Sequence, residues 1–246
     1  MYNDFAYSYD DLMSDVDYDG RAEYLASLFK KFDRKPTLLL DLACGTGEFS
    51  NRFARDGASV IGVDISYDML SIAREKSAEQ GVDVLYLCQD AAELDLYGTI
   101  DGAICCLDSL NHIIDYKKFC GAIARVSLFL EKDRLFIFDL NTEYKHREVL
   151  GNNTFVIETD DVYCVWQNEF SENQNTVEIN LDFFVPDGDA YYRTSESFCE
   201  RAYTKEEIEN ALEKAGLKIE AVYEDMTENA PDISAERVVY ITRKVN

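Results

Sequence analysis

The stretch Leu38-Leu39-Leu40-Asp41-Leu42-Ala43-Cys44-Gly45-Thr46-Gly47-Glu48-Phe49-Ser50 decides how the rest of the chain is read. Residues 38–40 form a short apolar run, as a parallel strand buried on both faces requires, and Asp41 closes it. A turn of small residues follows, with glycines at 45 and 47. Residues 48–56 (EFSNRFARD) read as a helix, with Phe49 and Phe53 on one face and Gly57 placed to end it. Strand, glycine turn, helix is the first unit of a doubly wound nucleotide-binding α/β fold.

Glycines in such a turn accept positive φ and let a ligand approach the backbone, while the N–H groups opening the helix favour negative charge. A dinucleotide fold would carry G-x-G-x-x-G here. This chain has Gly45 and Gly47 but Ser50 in the third place, and it adds an acid, Asp41, at the strand end. A pyrophosphate is a poor guest beside an extra carboxylate; a ligand carrying its own ammonium is a better one.

Working outward, residues 59–63 (SVIGV) form a second strand ending at Asp64. Asp64 lies 19 residues beyond Gly45, close to the spacing at which an acid meets ribose hydroxyls in a nucleotide-binding βαβ unit. Residues 67–80 are a helix whose Met69 either meets an adenine or packs in the core. Residues 82–87, 101–106 and 134–140 are strands three to five, and residues 117–130 a helix before the fifth. Ligands of open α/β sheets sit outside the carboxyl ends of the strands at the switch point, which strands one and four flank. The loop of residues 107–112 (LDSLNH) therefore faces the chemistry, and His112, one of two histidines, is the candidate catalytic residue. Residues 151–203 break the rhythm: four alternating stretches (155–159, 162–170, 176–185, 191–198) predict an antiparallel meander. Thr204 and Glu207 form a capping-box pair opening a helix to residue 215, and two last strands (217–223, 236–242) complete the sheet.

The chain has 246 residues and a formal net charge of −24, which disfavours nucleic acid and anionic membranes as partners. Its seven cysteines (44, 88, 105, 106, 120, 164, 199) show no C-x-x-C pair and no metal-ligand spacing, so no metal is expected, and Cys44, Cys88, Cys105 and Cys106, on or beside predicted strands, read as small buried hydrophobes of a reducing compartment. No secretory leader or apolar run of membrane length is visible, which predicts a cytoplasmic protein.

The run Asp41-Leu42-Ala43-Cys44-Gly45-Thr46-Gly47 resembles motif I (D-x-A-C-G-T-G) of the class I S-adenosylmethionine-dependent methyltransferases. The opening Phe5-Ala6-x-x-Tyr9-Asp10, the position of His112 and the Glu200-Arg201 pair are similar to the small-molecule branch, the amino-sugar N,N-dimethyltransferases among them. The resemblance implies a Rossmann-like, doubly wound seven-stranded α/β sheet with S-adenosyl-L-methionine as cofactor. It divides the chain into a helical lid (1–33), a methyltransferase core (34–150 and 204–246) and an antiparallel β cap (151–203). It implies that Asp41 and the backbone of Ala43, Cys44, Gly45 and Gly47 hold the methionyl end, with Tyr9 closing over it. Asp64 and Ile65 would hold ribose, Met69, Asp90 and Ala91 the adenine, and Leu107 the reacting end. Asp108, Trp166, Tyr191 and Arg201 are the acceptor candidates; Asp108 departs from the small hydroxyl residue of the amino-sugar enzymes. Tyr9 has core packing as its alternative reading, Trp166 and Tyr191 core packing or a dimer face, Asp90 helix capping, and His112 a structural or merely exposed place. The expected reaction is in-line methyl transfer to a nitrogen or oxygen of a small molecule, by a monomer or homodimer. A non-catalytic cofactor-binding regulator, a nicotinamide oxidoreductase (opposed by Ser50) and an RNA methyltransferase (opposed by the charge) are the alternatives.

Overall fold

The computed structural model describes residues 13, 15–159 and 162–245. Tyr9 lies outside them, as does the rest of the expected lid before residue 15 apart from Met13. Helix α1 (Tyr18–Phe32) precedes β1 (Leu38–Leu42), α2 (Glu48–Arg55), β2 (Ser59–Asp64), α3 (Tyr67–Gln80) and β3 (Val84–Cys88). Next come β4 (Gly102–Cys105), α4 (Tyr116–Phe129) and β5 (Leu135–Asn141). Four strands follow, β6 (Thr154–Glu158), β7 (Tyr163–Ser171), β8 (Thr176–Asp187) and β9 (Ala190–Arg201); α5 (Lys205–Lys214), β10 (Leu217–Glu224) and β11 (Arg237–Lys244) close the chain.

The main sheet has seven strands in the order β10-β11-β5-β4-β1-β2-β3, parallel from β5 through β3, with β11 antiparallel to both its neighbours. The apolar run of β1 is buried on both sides because helices cover both faces. Leu39 packs with Leu28 and Phe29 of α1 and Phe49 and Phe53 of α2. Leu40 and Leu42 pack with Phe119 and Ile123 of α4 and Ile208 of α5. Adjacent strand residues point to opposite faces, so one short run feeds two cores. β1 pairs with both β2 and β4, which puts the switch point beside Asp41.

The insertion is a separate four-stranded antiparallel sheet, β6-β7-β8-β9. The buried face of β8 (Val177, Ile179, Leu181, Phe183) joins Cys164 of β7 and Met69 of α3 in one apolar cluster, with Ile72 packed against it. The meander thus rests on the helix that follows Asp64.

Several ends differ from expectation for local reasons. The third strand starts at Val84 instead of residue 82 because Gly81 takes φ 66° and the Val82 N–H still caps α3 through Ser77 O at 3.0 Å. Asp101 is not a strand residue: its carboxylate accepts the N–H groups of Thr37 and Leu38. β8 and β9 run further than their apolar pattern, to a tight turn at Gly188-Asp189, since backbone pairing continues where side chains are exposed. Cys88, expected to be buried, is exposed at the end of edge strand β3. Thr204 and Glu207 make both halves of the capping box.

Candidate functional site

The turn after β1 is held in a shape that needs its small residues. Ala43, Gly45 and Gly47 all have positive φ (56°, 53° and 80°). A Cβ on Gly47 would lie 3.0 Å from the Ala73 Cβ and would overlap the Tyr86 hydroxyl. Asp41 is buried, and its Oδ2 accepts the Ser50 hydroxyl at 2.6 Å. The serine in place of a third glycine therefore holds the acid. Burial, assisted by the nearby charge of Asp64, pushes the Asp41 carboxyl up to about 7.

A cavity opens over this turn, lined by Asp41, Cys44, Gly45, Cys106, Leu107 and Tyr18 among others. Tyr18, the first residue of α1, is not singled out by the sequence, which places it only within the expected lid segment. Its ring meets Phe49 edge-on, with centroids 5.5 Å apart, and lies under the Arg52 guanidinium.

Asp64 ends β2 with its carboxylate turned back to the turn: Oδ2 accepts Gly45 N–H at 2.9 Å and Oδ1 accepts Ser66 N–H at 2.8 Å. Burial raises its carboxyl above the usual range, and those two N–H groups partly offset that. Ile65 beside it is exposed, whereas Met69 is buried against the inserted sheet. Asp90 caps a short 3-10 turn over Ala91–Glu93, accepting Ala92 N–H at 2.9 Å, and pairs with Lys118 at 2.9 Å. Its partial burial raises the carboxyl, but Lys118 and the Ala92 N–H hold it below its ordinary value.

After β4 the chain makes two consecutive left-handed residues, Leu107 (φ 56°) and Asp108 (φ 53°). Non-glycine residues tolerate this only when their surroundings impose it. Asp139 at the end of β5 imposes it, accepting Leu107 N–H at 2.8 Å and Asp108 N–H at 2.6 Å. Asn111 locks the loop from the other side: its amide donates to Arg201 O at 2.8 Å and Asn141 O at 3.2 Å, and its Oδ1 accepts Asn141 N–H at 3.0 Å. Asp108, an acceptor candidate by sequence, is engaged internally. Its Oδ1 pairs with Arg237 at 2.5 Å and its Oδ2 accepts the Asn141 amide at 2.8 Å. Burial alone would raise its carboxyl; Arg237 holds it below the usual value.

His112 ends this loop. Its ring lies over Phe198, with centroids 5.1 Å apart, and its Nε2 is 3.8 Å from Glu200 Oε1. Asp108, His112 and Glu200 offer ligand atoms within 4.8 Å of one another, so folding assembles a carboxylate-histidine group that spacing alone did not show. Arg237, already on Asp108, opposes a cation there. The second histidine, His146, is fully buried, with Nε2 3.1 Å from Glu200 Oε2.

Three acceptor candidates stand elsewhere. The Arg201 guanidinium donates to Ile114 O and to Glu207 at the start of α5, and lies over the Tyr203 ring. Its neighbour Glu200 faces His112 instead, because adjacent strand residues point oppositely and Glu200 pairs with buried Val177. Tyr191 is exposed and pairs with Pro186 at the tip of the β8–β9 hairpin. That is nine residues from Glu200 along β9, about 30 Å of extended strand. Trp166 is half-buried against Phe155, its indole N–H donating to Asn168 Oδ1 at 2.6 Å, and belongs to the packing of the inserted sheet.

A methyltransferase-domain family model matches residues 39–128. The methyltransferase-family protein YqeM of Bacillus subtilis (strain 168) is 32% identical over 245 residues, covering 99% of this chain and 97% of that one. A solved S-adenosylmethionine-dependent methyltransferase from Clostridium acetobutylicum ATCC 824 is 35% identical with a TM-score of 0.89, covering 100% and 99% of the two chains. The S-adenosylmethionine-bound amino pentose methyltransferase CalS10 of Micromonospora echinaspora shares the fold at a TM-score of 0.78 and 18% identity, covering 97% and 96%. Among the described residues no helix is long and apolar enough to cross a membrane.

Proposed function

This chain belongs to the S-adenosylmethionine-dependent methyltransferases, and from that membership we propose that it methylates a nitrogen or oxygen of a small-molecule acceptor. S-adenosylmethionine is the cofactor, and it supplies a methyl group on a cationic sulfur. The residues present fit it. A buried carboxyl at Asp41 that carries a proton up to about pH 7 gains a counter-charge from an ammonium group. The turn at Gly45 and Gly47 admits a close ligand, and Asp64 stands at the end of β2 for ribose hydroxyls.

In this reading Ala43 and Cys44 complete the wall of the methionyl pocket and Leu107 lies at its reacting end. Ile65 flanks the nucleoside, Met69 packs in the cluster of the inserted sheet, and Asp90 with Ala91 reads the adenine edge. Of the expected lid segment 1–33, α1 packs on the sheet with Tyr18 beside the pocket, and 151–203 serves as the cap on the core of 34–150 and 204–246. His112 accepts the acceptor's proton when the nucleophile carries one to lose. The chain contributes mainly orientation, which supplies about 7–11 kcal/mol in well-aligned intramolecular reactions. The observation that carries the small-molecule reading is the packing of Phe198 and Glu200 over His112, which sets the inserted sheet as a cover beside the reacting end. With a net charge of −24, the chain favours a neutral or cationic acceptor over a polyanion.

The test is S-adenosylhomocysteine release in the presence of panels of small amines, sugars, phenols and carboxylic acids, set beside transfer RNA and unfolded protein. Turnover on one small-molecule class supports the proposal; turnover confined to the macromolecules overturns it. Cofactor binding without turnover on any of them would bring forward the regulator reading.

A further inference from the structure

The only two histidines of the chain, 112 and 146, stand on either side of one buried carboxylate, Glu200. His146 Nδ1 is 2.9 Å from the carbonyl oxygen of Thr142. A carbonyl can only accept, so that nitrogen carries a proton. His146 Nε2 is 3.1 Å from Glu200 Oε2, which leaves one further proton to lie between ring and carboxyl. The Asn141 amide also donates to Oε2, at 3.2 Å, and an oxygen receiving two N–H donors is best served as a carboxylate. Ring and carboxyl thus share that proton across 3.1 Å, and each offsets the burial of the other.

Glu200 Oε1 is left to face His112. The 3.8 Å to His112 Nε2 is too long for a hydrogen bond and short enough for an ion pair. His112 Nδ1 is shut off from solvent without a hydrogen-bond partner among the described residues, so Nε2 is the ring nitrogen an acceptor can meet. β9 grips the ring twice from one face, Phe198 on its plane and Glu200 at its edge, because residues two apart on a strand share a side.

We propose that Glu200 is a positioning residue that fixes the His112 ring and stabilises the imidazolium formed there, and that His146 acts through Glu200 by keeping it ionised. This rests on His112 serving as the base. In the step, a lone pair of the acceptor's nitrogen or oxygen forms the bond to the methyl carbon while the carbon–sulfur bond breaks onto sulfur. The acceptor's proton passes to His112 Nε2. One positive charge thus moves from the sulfonium to an imidazolium beside Glu200, and total charge is conserved. The inserted sheet then supplies half of the proton-accepting pair as well as a cover. The other charged groups facing His112 are Asp108 from its own loop and Asp64 from the end of β2, while Arg237 of β11, paired with Asp108, also acts on Glu200.

The test uses the whole chain and diethyl pyrocarbonate, which acylates neutral imidazole. His112 is half-exposed and His146 fully buried, so His112 is the reacting histidine, as loss of the signal in His112→Gln verifies. The ratio of the rate at pH 6.0 to that at pH 8.5 reports charge on the ring and cancels exposure. Glu200→Gln is expected to raise that ratio about three- to fivefold, and His146→Gln to raise it in the same direction by removing the ring that shares a proton with Glu200. S-adenosylhomocysteine binding should remain, which shows that both variants fold. Histidine-selective 15N spectra of the wild type should show both His146 nitrogens engaged by a proton, Nε2 through the one shared with Glu200, a readout that survives if either variant fails to fold. An unchanged ratio in folded variants, or a His146 ring with one bare nitrogen, overturns the proposal. Neither reading needs turnover, so His112→Gln retaining full methyl transfer would sink the base assignment separately.

Discussion

Replacing Asp41 by asparagine should make the empty protein more stable and the cofactor weaker, with both effects set by pH. The carboxyl is buried and carries its proton up to about 7, against 3.8 in an open chain. An acid raised in this way favours the fold below its unfolded value, and that contribution is lost as pH climbs from about 4 to about 7. That difference corresponds to about 4 kcal/mol at pH 8. Asp41→Asn removes the charge and keeps an acceptor for the Ser50 hydroxyl, so it should recover several kcal/mol at pH 8 and almost nothing at pH 4. Cofactor binding runs the other way. An ammonium ligand needs the carboxylate, so affinity should fall about tenfold per pH unit below 7, about 100-fold at pH 5. In Asp41→Asn it should be weak and flat through that window. The assays are denaturant unfolding of the ligand-free protein and calorimetric titration with S-adenosylhomocysteine at pH 5.0, 6.0, 7.0 and 8.0. A variant no more stable than wild type at pH 8, or one that keeps the wild-type pH dependence of binding, refutes the reasoning about this acid.

Further outcomes follow from the geometry of the strand ends. Gly47→Ala should cost about 2 kcal/mol or more and weaken the cofactor, because its Cβ meets Tyr86 and Ala73; Gly45→Ala, with nothing within 4 Å of its Cβ, should cost only the left-handed backbone penalty of about 1 kcal/mol. Thermal melts of the pair separate the two causes. Arg237→Met leaves Asp108 and Asp139 without their guanidinium and should lower stability by about 3–5 kcal/mol at pH 7. Because Asp108 is held low in the native fold, its share of that difference should vanish as pH drops through the acid range, which urea unfolding at pH 7 and pH 3 would show. Arg201→Ala should cost about 1–2 kcal/mol through its lost bonds to Ile114 and Glu207 while leaving S-adenosylhomocysteine affinity within about twofold of wild type.

What could be read along the chain was whatever local pattern controls. The triple leucine, the two glycines and the spacing to Asp64 each act within one βαβ unit, and the structure bears out that unit and the sheet built on it. The capping box at Thr204 is local in the same sense. Features that depend on long-range pairing were not legible. Glu200 meets His112 only because β9 returns beside the strand-four loop, and Arg201 drew notice in its place although strand parity turns it away. Parity was available as a signal: Phe198 and Glu200 share the side of β9 that lies across from the buried residues of β8. The engagement of Asp108 by Arg237 joins residues 129 apart and has no local signature. Tyr18 was hidden by its place as the first residue of a helix, and Ser50 looked like a missing glycine until its hydroxyl was found on Asp41.

Calorimetric titration of the wild type and of Asp64→Ala with S-adenosylhomocysteine, and separately with NADH, tests the central claim most directly. The site built at the ends of β1 and β2 predicts micromolar-range binding of S-adenosylhomocysteine to the wild type, its loss in Asp64→Ala, and no binding of NADH to either. Binding that survives unchanged in Asp64→Ala, or a wild type that prefers NADH, would contradict it.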